Sequence, residues 1–198
     1  MDEVKYRIMG IGPCLMKSGQ SANPLNPYTR KLAAYTSRGK GNKLSEDETF
    51  EKYRIEWEGS LYLNPETGAI GWPSDNVLAC LRAGARRTKL GKKVERGVLE
   101  AKPFFDLIYD GPKDLDKLWA DGRFTDIRNV NGNPSAAKKS TIQRCRPIFR
   151  NWQMDLVFNV DTMEIGIDQL ESCLADAGAY VGLSDYRPRY GRFVVKGL

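Results

Sequence analysis

The chain is 198 residues long, 41% hydrophobic and 28% charged, enough apolar content for one good core or one core carrying a long insertion, and too much for a disordered chain. Its 31 Lys+Arg against 25 Asp+Glu give a net charge of +6 and a pI near 9.1, an excess that favours a polyanionic partner only where it is clustered. It contains no histidine, which excludes serine-histidine triads, cysteine-histidine dyads, histidine-based ribonuclease chemistry and histidine metal sites together.

Residues 4–11 alternate apolar and polar side chains with β-branched content, the pattern of a first strand with one buried face. Residues 19–26 are rich in Gly, Ser, Asn and Pro. They lead into a short predicted helix at 27–35 and a basic loop at 37–43. Ser45 and Glu48 have capping-box spacing ahead of Phe50, Tyr53 and Ile55, which predicts a second helix. The stretch reads as an excursion from the core sheet, an insertion spanning residues 19–56.

Residues 57–63 and 69–73 flank Asn64-Pro65-Glu66-Thr67-Gly68, a turn that predicts a hairpin. Ser74 is the expected N-cap of a helix with Asp75 in its first turn and Val77, Leu78, Leu81 and Ala85 on one face. Residues 94–101 and 104–109 read as strands, and 114–120 as a short helix. Residues 129–147 read as a long basic connection, a candidate binding loop whose alternative is a solvated surface loop. Residues 152–160 are strand-like. Asp168 and Glu171 give a capping-box-like spacing for a helix carrying Leu170, Leu174, Ala177 and Val181, ended by Gly182 before a final strand at 192–196. A first strand, a helix after Pro73 and a closing β-α-β unit predict an α+β fold: a ferredoxin-like, RRM-like antiparallel sheet with helices on one face and inserted basic loops, in a single domain spanning residues 1–198.

The cations are clustered. Residues 82–96 hold Arg82, Arg86, Arg87, Lys89, Lys92, Lys93 and Arg96 against the single acid Glu95; complementing a helix C-terminus needs one or two of these, and the surplus is the functional signal. Residues 30–43 hold Arg30, Lys31, Arg38, Lys40 and Lys43 without an acid, and residues 138–150 hold Lys138, Lys139, Arg144, Arg146 and Arg150, again without one. Near the end, Gly182 and Gly191 bracket a loop in which Arg187, Arg189 and Arg192 are interleaved with Tyr186, Pro188 and Tyr190. Were this loop extended, the arginines would lie mostly on one side and the tyrosines on the other, offering planar forks to phosphate and ring faces to bases. The plain alternative is a helix cap followed by an edge strand with solvated arginines.

Cys14, Cys80, Cys145 and Cys173 are far apart and form no C-x-x-C pair, so each is expected to be a small buried side chain; neither a metal nor a cofactor is expected. The acids fall in helix-start patterns such as Ser45-Glu46-Asp47-Glu48, and no phosphate-loop motif is present, so an enzyme is not expected. Without a signal-like N-terminal run or 18 consecutive apolar residues, the expectation is a soluble protein with no membrane association, in the cytoplasm of a bacterial or phage-infected cell.

The phrases Gly59-Ser60-Leu61-Tyr62-Leu63, Ile70-Gly71-Trp72-Pro73-Ser74 and the ending from Gly182 to Phe193 resemble the RAMP superfamily. These are the RRM-like proteins that form backbone and cap subunits of CRISPR surveillance complexes. The resemblance covers mainly residues 57–90 and 152–196, and the ending is also similar to uncharacterised bacteriophage proteins. It implies a non-catalytic protein binding single-stranded RNA or DNA, RNA favoured, assembling along the strand as a homo-oligomer or as a subunit of a nucleoprotein complex. The chain departs from the family in being short for a backbone subunit, in having only Gly182 and Gly191 in its glycine-rich loop, and in lacking the histidine base of members that cut guide precursors. A second class of function is a phage structural or protein-interaction protein, including an anti-CRISPR mimic of a backbone subunit.

Overall fold

The computed structural model describes residues 1–37, 43–132 and 141–198. In chain order the elements are β1 (Asp2–Gly10), β2 (Cys14–Leu15), α1 (Pro27–Thr36), α2 (Glu46–Glu58), β3 (Gly71–Pro73), α3 (Ser74–Ala85), α4 (Gly91–Gly97), β4 (Val98–Glu100) and β5 (Phe104–Tyr109). There follow α5 (Leu115–Asp121), β6 (Thr125–Asn131), β7 (Thr141–Phe149), β8 (Trp152–Val160), α6 (Ile167–Asp176) and β9 (Phe193–Gly197). The chain divides into two compact units: residues 1–15, 62–111 and 149–198 form the first, and residues 16–61 and 112–148 the second.

The first unit is built on a six-stranded sheet of order β3-β5-β8-β1-β9, with β4 pairing β8 beside β5. Every pairing is antiparallel. The strands β1 and β5 therefore run the same way with β8 between them, and β8 and β9 run the same way with β1 between them. Two interleaved β-α-β crossovers of this kind make a ferredoxin-like α+β fold. The alternation seen in the sequence is what builds it: in β8, Trp152, Met154, Leu156, Phe158 and Val160 are all buried, while the intervening residues are only half-buried. In β1, which pairs with β8 from Asp2↔Val160 to Met9↔Gln153, the corresponding side chains are Tyr6 and Ile8. Helix α3 covers the sheet with Val77, Leu78, Leu81 and Ala85, and α6 with Leu170, Cys173 and Leu174. The two helices pack together. Gly84 permits their close approach, since a Cβ there would sit 2.5 Å from the backbone nitrogen of Ala177.

The second unit packs α1 against α2 and carries the antiparallel pair β6–β7, in register from Thr125↔Pro147 to Asn131↔Thr141. Ser45 and Glu48 form both halves of the expected capping box. Trp57, fully buried at the end of α2, donates its indole N–H to the Phe124 carbonyl at 3.0 Å, and its ring meets Trp119 edge-on at 5.5 Å.

Several local readings of the sequence are corrected. Residues 94–97 belong to α4 rather than to a strand, because Val94 and Gly97 turn inward at a spacing of three; the strand is confined to Val98–Glu100. Trp57 and Glu58 close α2 rather than open a hairpin strand, and only Leu63 and Ile70 bridge across the turn. Ser74 is the first residue of α3 without a side-chain capping bond, its N–H donating to the Pro103 carbonyl. Helix α6 begins after Gly166, whose N–H donates to the Gln169 side chain, so Asp168 sits inside its first turn. That helix passes at Ala177 into a π-helical turn, Ala177–Val181, closed by Gly182 at φ 80°. Residues 129–131 and 141–147 are strand rather than loop, while Lys138 and Lys139 lie outside the described residues.

Candidate functional site

The C-terminal turn of α3 presents Arg82, and the helix tightens into a 3-10 turn, Arg86–Thr88, that presents Arg86. Lys89 reverses the chain in the left-handed region at φ 61°, so that α4 starts at Gly91 and carries Lys92 and Glu95 back alongside. This helix–turn–helix forms one wall of an open cleft of about 930 Å³, with the small side chains of Ala79 and Ala83 also in its lining. The other wall is Tyr180 and Val181 of the π-turn with Arg187 and Pro188 of the C-terminal loop. The Gly84–Ala177 approach is what brings these two walls of the first unit together.

Five cations therefore line the cleft against a single acid, Glu95. Glu95 stands 3.8 Å from Arg82, too far for a direct hydrogen bond, and the Arg82 Nε instead donates to the Leu78 carbonyl at 3.3 Å. Arg86, Lys89, Lys92 and Arg187 form no salt bridge among the described residues. Cys80 is buried, which pushes its thiol up to about 12, with the Arg187 charge pulling the other way. Among the described residues no group of cysteines and carboxylates is arranged to hold a metal ion.

The C-terminal loop is folded back rather than extended. Ser184 is buried; its hydroxyl accepts from the Leu15 N–H at 2.7 Å and donates to the Leu15 carbonyl at 2.8 Å. Gly191 donates to the Pro13 carbonyl and accepts from Leu183, while Tyr190 donates to Tyr186, which sits at φ 60°. Gly191 adopts φ 71°, and a Cβ there would fall 2.4 Å from that of Ser184, so the closure requires glycine. Chain reversal cancels the expected alternation: Arg187 and Pro188 reach the cleft, whereas Tyr186, Arg189, Tyr190 and Arg192 are not part of its lining. The Tyr186 and Tyr190 rings meet each other edge-on at 6.4 Å.

The remaining sequence candidates are dispersed. Arg87 lies over the Tyr180 ring, Lys93 is exposed on α4 outside the cleft lining, and Arg96 pairs with Glu164 at 3.0 Å. Arg30, Lys31 and Lys43 are exposed in the second unit, where Lys31 borders a groove with Asp47, Phe50, Glu51, Arg54, Ile55 and Glu58. Arg38 and Lys40 lie outside the described residues. Arg144 and Arg146 are on β7. Arg144 is tied to the buried Glu56 at 2.6 Å, and that carboxylate also accepts the Cys145 N–H at 2.9 Å. Sequence reasoning missed Tyr180, whose signal was available: it is a large aromatic off the stripe of Leu170, Leu174, Ala177 and Val181.

No family model and no curated protein matches the chain. Among solved structures it is similar to the crystal structure of Cmr6 from Pyrococcus furiosus, with 13% identity over 98% of this chain and 97% of that one and a TM-score of 0.39.

Proposed function

We propose that this protein binds single-stranded nucleic acid, RNA in preference to DNA, through the cleft between α3–α4 and the C-terminal loop, and that it does so without catalysis. The observation that carries the reading is the convergence of Arg82, Arg86, Lys89, Lys92 and Arg187 on one concave surface, four of them without a carboxylate partner among the described residues. Concentrated positive charge in a cleft attracts a polyanion and tracks its phosphates. The resemblance of residues 57–90 and 152–196 to RAMP proteins favours the same ligand, and extends the reading to copies assembled along a strand or placed within a larger nucleoprotein complex. No helix among the described residues is long and apolar enough to cross a membrane.

The test is the salt dependence of binding to single-stranded RNA and DNA of mixed sequence. Each neutralised phosphate contributes about 0.7 to the slope of log affinity against log salt, so the cleft's five cations give a slope of about −3 to −4. A protein that fails to bind either strand at low salt overturns the reading in favour of a protein-interaction role. Complex mass that grows with strand length supports assembly, and a fixed one-to-one complex on a long strand overturns it.

A further inference from the structure

Tyr180 is the one aromatic side chain lining the basic cleft among the described residues, and it is 55% exposed there. Its ring is backed. The Arg87 guanidinium lies 3.7 Å from the ring centroid, and the Arg87 Nε stands 3.8 Å from a carboxylate oxygen of Asp176, one turn before Tyr180 in the chain. Arg87 is not itself part of the cleft lining. One face of the ring is thus covered by a cation that also faces Asp176, and Tyr180 shares the cleft lining with Arg82, Arg86, Lys89, Lys92 and Arg187. A large exposed aromatic contributes little to the core of this unit. Held by a guanidinium behind it, however, it is a rigid flat surface that loses little freedom when a second flat group settles on it. The π-turn positions it: closed by the Gly182 N–H on the Ala177 carbonyl, it holds one more residue than an α-turn and puts Tyr180 in the cleft lining while Ala177 and Gly178 remain buried.

We infer that Tyr180 is a base-stacking platform, so that the cleft takes a nucleobase on the ring while the neighbouring cations hold the flanking phosphates. This rests on the nucleic-acid reading above and adds that the cleft recognises bases and not phosphates alone. Base–aromatic stacking tolerates any base, so the platform adds affinity without sequence preference.

The experiment compares an oligoadenylate RNA with an abasic RNA strand of the same length, each titrated into the full chain by fluorescence anisotropy. The parent is expected to bind the base-bearing strand more tightly. Tyr180→Ala is expected to weaken that strand by about 10- to 100-fold and to leave the abasic strand unchanged, while Tyr180→Phe keeps the parent's preference because the ring survives. Thermal melting of the alanine variant should match the parent, the side chain being exposed. If the parent binds both strands equally, or if Tyr180→Ala weakens both alike, the stacking inference falls while the phosphate-binding cleft stands. If the parent binds neither strand, both fall.

Discussion

The arginines lining the cleft of the first unit and those in the ion pairs of the second have opposite fates, although Arg7, Arg87 and Arg96 of the first unit also face carboxylates. In the second unit Arg54 contacts Glu58 and Asp116, Arg123 contacts Asp121, Arg128 contacts Asp126 and Arg144 contacts Glu56, so these guanidiniums are occupied by carboxylates. In the first unit the cleft gathers Arg86, Lys89, Lys92 and Arg187 with none, and Arg82 with one distant glutamate. Density of cations along the chain is equal testimony in both places. What separates a site from a surface is whether carboxylates fold up beside the cations, and only the tertiary arrangement decides that.

The largest effect expected from this contrast is on affinity. Replacing Arg86, Lys89, Lys92 and Arg187 together by alanine should weaken single-strand binding by at least about 100-fold at low salt and reduce the salt slope by about 3, at roughly 0.7 per lost contact. Replacing Arg54, Arg123 and Arg128, three paired cations outside the cleft lining, should change affinity by no more than about twofold because exposed charges away from the bound strand act on it only through screened solvent. Equal losses in the two variants, measured by anisotropy over a salt series, would erase the distinction.

Stability should behave in the reverse way. Arg144→Ala leaves the Glu56 carboxylate buried with the Cys145 N–H as its remaining partner among the described residues. Breaking a fully buried pair costs about 3–5 kcal/mol, and because the Arg144 side chain is 39% exposed the expectation here is nearer 1–2 kcal/mol. Denaturant unfolding would register this as a lower midpoint, with oligonucleotide affinity of the folded protein unchanged. A loss of affinity with intact stability would instead make Arg144 a ligand contact.

A smaller effect separates two arginines two positions apart. Arg187→Lys keeps the charge in the cleft but loses the planar fork, and should weaken binding by about three- to tenfold, within the range of a charge-assisted hydrogen bond. Arg189→Lys, outside the cleft lining, should bind as the parent does. If both variants behave alike, the folded-back loop acts only as a generic cationic surface.

The sheet was legible because burial follows simple periods. The alternation of residues 152–160 became β8, and the Ser45–Glu48 spacing became a capping box. Residues 94–97 misled because a short helix with Val94 and Gly97 inward offers too few positions to distinguish a period of three from one of two. Half of the cleft was visible as the excess of cations after Leu81, which a helix terminus alone does not need. Arg187 and Pro188 of the opposite wall were visible too, as part of the Gly182–Gly191 loop, but their meeting with the basic turn was not, because it depends on Gly84 meeting Ala177, on a π-turn presenting Tyr180, and on Ser184 and Gly191 folding the last loop onto residues 13–15. Those contacts link residues distant in the chain, and a periodic reading of local sequence cannot contain them. The same reason hid the fate of Arg144, whose partner Glu56 lies far away in sequence.

Ultraviolet crosslinking of the full chain to single-stranded RNA, followed by peptide mapping, locates the bound strand on the protein. Crosslinked peptides are expected from residues 79–95 and 180–188, with Tyr180 among the modified side chains. Crosslinks confined to the second unit, with these two segments unmodified, would contradict binding in the cleft.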